Sequence, residues 1–400
     1  MKLKIFAVLV LCLSVSNSLL SAQQLSKYTA NKVVYAQTLQ GQGKYQQAIT
    51  LLSELTLIDA YEQTFVDRLL GVFYWQNGNS KRASQYLSKA VISGLITAPQ
   101  DWPTQKMLAD IYLSQSQFSK AIEHYQQLLT YLPETEQASP VLLRLVQSHY
   151  QLHQWQALLE AELQFQKSLT EQQKGEQQTI TQQTTMLRYK LAAQLQLQQH
   201  KQAQRSLFKL ISLQPNELVW WQQLAANQLR LGENKQSLQT LVLALRQGVN
   251  LSEANLKTMA QLYAQQGIPE QAAKVLNQLK AIATDEQLLV QQAHYWQMAK
   301  EWQLAIDVWL KAVQFNQQHY WPLAQLLVQQ GNYQQALEAL EFVDNESLLA
   351  QVALLKVRIY YQLKQLDNAL FYAKQSFVLD GNDRSASWVD YLQQLTALDQ

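Results

Sequence analysis

Apolar residues in this chain recur three or four positions apart in short runs, and no stretch alternates with period two. That spacing predicts helices and no strands. The runs themselves repeat. A small residue returns about every 35 positions with similar neighbours, as in QGQGKYQQAI, WQNGNSKRAS, LRLGENKQSL, YAQQGIPEQA and VQQGNYQQAL. Its copies are Ala48, Ala83, Ala121, Ala157, Ala203, Ser237, Ala272, Ala305, Ala336 and Ala369, at intervals of 35, 38, 36, 46, 34, 35, 33, 31 and 33 residues. A period of this length marks a repeat array, in which each unit buries its apolar face against its neighbours.

The second copy shows how one unit works. Leu70, Gly71 and Tyr74 precede Ala83 by 13, 12 and 9 positions and share one face of a first helix. Ala83, Leu87 and Ala90 share one face of a second helix. Gly78 lies between them, five residues before the anchor, where a helix C-terminus favours a left-handed residue. Gly43, Gly232, Gly267 and Gly331 hold the same place in other copies. Pro133, Pro215 and Gly381 fall 12 residues after their anchors, where the second helix must stop, and Ser139-Pro140 reads as an N-cap followed by a first-turn proline. The copy at Ala157 fits equally well one residue later, because Trp155 then takes the aromatic place.

The longest interval carries a polar insertion at 167–183, QKSLTEQQKGEQQTITQQ in its neighbourhood. It divides the expected array into repeats one to four over 23–166 and repeats five to ten over 184–382, with a capping helix over 383–400. Composition agrees with an almost wholly helical chain: among 400 residues, Gly and Pro number 11 and 7, and Gln 67. Ahead of the array, Lys2 and Lys4 precede an apolar run from Ile5 to Leu13 and a small, polar stretch ending at Ala22. This predicts a secretory signal peptide over 1–22 and a periplasmic mature chain. Cleavage would remove Cys12, the single cysteine, and leave 30 basic against 30 acidic residues. A neutral chain without a basic tail gives no electrostatic ground for nucleic-acid or membrane binding.

Catalytic chemistry finds little footing. There is no phosphate-cradling glycine loop, nucleophile elbow or zincin motif. His149 and His153 stand four apart, but two histidines without a third ligand make a poor metal site. The reading is a non-enzyme with no cofactor and no metal.

The pattern from Val33 to Gly381 resembles the tetratricopeptide repeat family. The resemblance implies an all-α superhelix of about ten helix–turn–helix units that binds protein partners. It also implies that the groove is lined by first helices, at positions 15, 11 and 8 before each anchor. The groove-facing residues singled out there are Arg68, Trp75, Lys106, Trp321, Arg358 and Tyr361. A clamp for a peptide's terminal carboxylate would need Asn where Asp110 stands beside Lys106.

Three stretches, DRLLGVFYWQNGNSKRASQYLSKAV, WWQQLAANQLRLGENKQSLQTLVLAL and MAQLYAQQGIPEQAAKVLNQL, are similar to a narrower group. These are secreted tetratricopeptide proteins of Gram-negative bacteria that accompany TonB–ExbB–ExbD systems. That likeness implies an accessory role in TonB-dependent uptake, with the TonB/ExbB/ExbD complex as partner. The alternative is an assembly factor for an outer-membrane or cell-wall complex.

Overall fold

A computed structural model describes residues 24–169 and 177–398. The expected signal peptide and the middle of the polar insertion lie outside the described residues. Within them are 21 α-helices. Packing divides the chain into two compact units, the first ending at Gln199 and the second beginning at His200.

The first unit holds α1 (Lys27–Gly41), α2 (Tyr45–Ser53), α3 (Ala60–Gln76), α4 (Ser80–Ile92), α5 (Asp101–Ser114), α6 (Phe118–Thr130), α7 (Ala138–Gln151), α8 (Trp155–Ser168) and α9 (Gln177–Gln196). The second holds α10 (His200–Leu213), α11 (Leu218–Arg230), α12 (Asn234–Arg246), α13 (Glu253–Gln265), α14 (Pro269–Leu276), α15 (Glu286–Met298) and α16 (Trp302–Ala312). It continues with α17 (Tyr320–Gln329), α18 (Tyr333–Leu340), α19 (Leu349–Gln362), α20 (Leu366–Asp380) and α21 (Asp383–Leu398). Outside the fifth expected repeat, each first helix packs on the second helix of its own repeat, and second helices pack on the first helix of the next. The fifth expected repeat is divided: α9 packs on α7 and α8, and α10 packs on α11. The helix α9 begins at Gln177, so the last part of the polar insertion is helical.

The anchors explain why the units close. Ala48, Ala83, Ala121, Ala203, Ser237, Ala272, Ala305, Ala336 and Ala369 are all fully buried. A small side chain there lets the paired helices approach, and the Ser237 hydroxyl donates to the Ala225 carbonyl at 3.0 Å. The fourth repeat corrects the sequence reading: Leu158, not Ala157, is fully buried. Backbone bonding agrees, since the N–H of Leu158 donates to the Gln154 carbonyl as Ala121 does to Gln117. Above the anchor, the same two places on facing helices stack rings in three repeats: Tyr74 on Tyr86, Tyr112 on His124 and Tyr360 on Tyr372, at 5.3, 5.5 and 5.4 Å.

With that one-residue correction, the position five before the anchor has positive φ in all ten repeats. Glycine fills it at 43, 78, 232, 267 and 331, and Ser116, His153, Gln198, Lys300 and Lys364 adopt φ of 55 to 60° in the others. A side chain pays for this conformation by crowding its own backbone. The glycine sites have open space where a Cβ would stand, so the cost of filling them is conformational alone. Gly331→Ala should therefore lower stability by about 1 kcal/mol, and Lys300→Gly should raise it by about 0.5–1 kcal/mol. Urea unfolding of the two variants checks both signs.

The terminal helices are tied down differently. The carboxylate of Glu62 in α3 accepts from the Ser26 N–H and from the Thr29 hydroxyl at 2.9 Å, fastening the start of α1. The Ser26 hydrogen bonds, chiefly, hold the Glu62 carboxyl below its ordinary range. A lowered folded-state pKa contributes stability above the unfolded value and loses it as pH falls through the folded value. The gap in melting temperature between the wild type and Glu62→Gln should thus be largest at neutral pH and vanish in acid. At the other end, Leu392 of α21 is buried against Val357, Ala369 and Ala373, closing the last repeat as a cap does. Helix α7 departs from expectation in one detail: it is preceded by Gln137, and Ser139 lies buried inside its first turn rather than capping it.

Candidate functional site

The first helices carry a stripe that borders the core and stays at least partly open to solvent. In α3 and α5 it comprises Arg68, Val72, Trp75, Lys106, Asp110 and Leu113, none of them buried. With the fourth anchor at Leu158 it continues through Leu143, Gln147 and Tyr150 of α7, also accessible. Counting from Ala157 would instead have named Leu142, Val146 and His149, all buried. In the second unit the stripe runs over Gln222, Ala226 and Leu229, then Lys257, Gln261 and Ala264, then Val290, His294 and Gln297. It ends on Trp321, Gln325 and Val328 of α17 and Leu354, Arg358 and Tyr361 of α19. The period that buries positions 13 and 12 before the anchor turns these places away from the partner helix. Within the first unit, first helices also touch one another across repeats, α1 with α3 and α7 with α9.

The six residues singled out from sequence fare differently. Trp75 is 38% exposed, enough indole to serve as an anchor for a partner. Arg358 is exposed, and among the described residues no acidic group forms an ion pair with it. Arg68 is half-buried: its guanidinium lies 5.3 Å from the Phe65 ring, its Nε has no acceptor, and burial pushes its pKa down. Lys106 is less available than its position suggests. It pairs with Asp110 at 2.8 Å, and Asp110 also accepts the Tyr125 hydroxyl at 2.6 Å. That phenol is held protonated by burial first and by Asp110 next. Trp321 is half-buried against the core of the second unit. Tyr361 is covered by the capping helix, with the Trp388 ring at 5.4 Å and its hydroxyl 3.1 Å from that of Tyr391. The sequence placed Tyr361 on the stripe but held no sign that α21 folds over it.

One feature escaped the sequence reading. A depression of about 550 Å³ opens beside α15, lined by Glu286, Val290, Gln291, His294, Tyr295 and His319. Its floor is fixed by His319, whose Nε2 lies 2.7 Å from Glu286 Oε1, and by Trp309, which meets His294 edge-on at 5.1 Å. Only the repeat period, 33 residues between Glu286 and His319, hinted that these groups meet. His149 and His153 do not form a pair: His149 is buried against Gln154 at 2.7 Å, and His153 sits in the turn beside Trp155. Among the described residues no group of three His, Cys, Asp or Glu could hold a metal, and no helix is long and apolar enough to cross a membrane.

Two stretches match models of the tetratricopeptide repeat, residues 106–138 in the first unit and residues 322–376 in the second. The described residues of each unit are thus all-α and built of tetratricopeptide-like helix pairs, and repeats of this kind serve as platforms for protein–protein interaction. Among solved structures, it is similar to a tetratricopeptide repeat protein from Parabacteroides merdae, with 14% identity over 67% of this chain and 99% of that one, at a TM-score of 0.35. The C-terminal part of a repeat-containing protein from Cytophaga hutchinsonii is 12% identical over 70% and 98%, at 0.35. Repeats of a putative kinesin light chain from Podosopora anserina are 19% identical over 47% and 95%, also at 0.35. No curated protein matches the chain.

Proposed function

We propose that this protein is a non-enzymatic scaffold of the bacterial periplasm that holds a segment of a partner protein along the stripe on its first helices. The observation that carries this reading is the stripe itself. Positions 15, 11 and 8 before the anchor stay solvent-accessible from α3 to α19 while the residues between them build the core. Its exposed members include Trp75 and Arg358, residue types that often dominate interface energy. Mixed amides and few charges there favour binding that depends only weakly on salt.

The particular setting we propose is a TonB-type energy-transduction system. It is supported by the likeness of the three quoted stretches to secreted tetratricopeptide proteins of such systems and by the signal-peptide pattern before Ala22. Pull-down with the mature protein tests it: enrichment of TonB, ExbB or ExbD is expected, and absence of all three would sink this setting while leaving the scaffold reading intact. Whichever partner is recovered, the double variant Trp75→Ala, Trp321→Ala should weaken its binding at least tenfold with an unchanged helical spectrum. Unaltered affinity would remove the stripe as the binding surface.

A further inference from the structure

A second surface lies on the other helix of the repeats. Between α4 and α6, with the end of α5 as its floor, runs an open groove of about 800 Å³. Four cations line it: Lys81, Arg82 and Lys89 from α4 and Lys120 from α6. No carboxylate lines it, and none of the four cations forms an ion pair among the described residues. Ion pairs elsewhere hold Lys106, Lys190, Lys274 and Lys356, each to a carboxylate. Asp67, behind Lys89, is buried, and the exposed Glu123 stands one turn along α6 from Lys120 without lining the groove.

The cations are also positioned. Arg82 lies 5.4 Å from the Tyr74 ring and donates to the Tyr74 hydroxyl at 2.9 Å. Lys89 lies over Tyr86 at 5.3 Å and Lys120 over Tyr112 at 5.2 Å. Rings beneath the charges restrain long side chains that would otherwise be mobile, which lowers the entropy lost when an anion arrives. Gln115 braces the floor, its amide donating to the Ser80 carbonyl at 2.7 Å.

We infer that this groove docks an extended acidic segment of a partner protein, separately from the stripe on the first helices. The spacing favours a chain over a single phosphate. Lys81 and Lys89 stand eight residues apart on one helix, roughly 12 Å, so the charges are strung out rather than converging on one point. A lipid surface is disfavoured because the groove exposes no large aliphatic side chain for insertion. Gln85 lines the groove as well and can partner a peptide backbone, while Gln117 donates to Gln115 at 2.8 Å and helps hold the floor.

The test uses the purified full-length protein and a fluorescein-labelled decapeptide of alternating Glu and Gly, read by anisotropy. Saturable binding is expected at low ionic strength, falling about tenfold or more when salt is raised from tens to hundreds of millimolar. Each exposed charge pair contributes about two- to fivefold, so Lys81→Gln, Arg82→Gln, Lys89→Gln, Lys120→Gln together should cost at least tenfold. The charge-preserving variant Lys81→Arg, Lys89→Arg, Lys120→Arg should keep the affinity, which separates lost charge from lost folding. Trp75→Ala, Trp321→Ala should also keep it, which separates this groove from the stripe. Equal binding by the glutamine variant, equal binding of a Gln–Gly peptide, or no binding at all would overturn the proposal. So would phosphatidylglycerol vesicles or inorganic phosphate displacing the peptide from the groove at lower concentration than unlabelled peptide does.

Discussion

Trp309→Ala is expected to cost about 3–5 kcal/mol, the largest loss from any single truncation in the second unit. Trp309 is 1% exposed and heads the fully buried side chains by volume. It joins two repeats: its ring meets His294 of α15 edge-on at 5.1 Å and His319, just before α17, at 5.7 Å. Around it lie Ile306, Leu323, Leu327 and Ala336 in one continuous core. Alanine would leave a cavity that helices fixed on both sides cannot collapse into, so transfer and cavity costs add. Because each repeat touches only its neighbours, the damage should stay local. Hydrogen exchange is expected to lose protection across α15 to α18 while α3 to α6 keep theirs. A loss below about 1 kcal/mol, or uniform deprotection of both units, would show that the repeats are not coupled through this side chain.

Gly71 is the corresponding point in the first unit, for the opposite reason. A Cβ at Gly71 would stand 2.5 Å from Leu87 Cγ, 2.8 Å from Cδ2 and 3.1 Å from the Leu87 backbone nitrogen. Leu87 is fully buried, so it has nowhere to swing. Overpacking of this kind costs about 1–3 kcal/mol, and the better helix propensity of alanine returns about 1. Gly71→Ala should therefore lose up to about 2 kcal/mol, and Gly71→Val more, since its branches meet the same wall. Coupling is the sharper readout. Leu87→Ala alone should cost about 2–5 kcal/mol, yet added to Gly71→Ala it opens the space the new methyl needs. The double variant should be more stable than the sum of the singles by at least 1 kcal/mol in urea unfolding. Additivity would mean that α3 and α4 can slide apart without cost.

The proposed binding residues show how far the sequence reached. Position on the stripe followed from the repeat template, and the template held for Trp75 and Arg358 as accessible groups. Availability did not follow from it. Lys106 meets an acid one helical turn away, Tyr361 lies under a helix 30 residues further on, and the Arg68 guanidinium sinks beside Phe65. The Lys106–Asp110 spacing was readable in the chain, but not that Asp110 also accepts the Tyr125 hydroxyl; the Tyr361 and Arg68 contacts lie outside the repeat template, so the period gave no sign of them. The fourth repeat shows the same limit at smaller scale. Ala157 and Leu158 satisfied the pattern equally, and burial chose Leu158 because the turn residue His153, not Leu152, takes the positive φ.

What the sequence determined by itself is the unit: two helices, a turn five residues before a small anchor, and about ten copies. Helical periodicity and the demand for a small buried side chain are local rules, readable within one repeat. Only the tertiary structure decided where the compact units divide, after Gln199 inside the fifth repeat rather than in the polar insertion. It alone brought Glu286 to His319, stacked cations on tyrosines along α4 and α6, and laid α21 over Tyr361. The first and last of these join residues 27 to 33 apart, and the cation contacts close over three to eight residues within a repeat; all are settled by the fit of packed surfaces rather than by the repeat period.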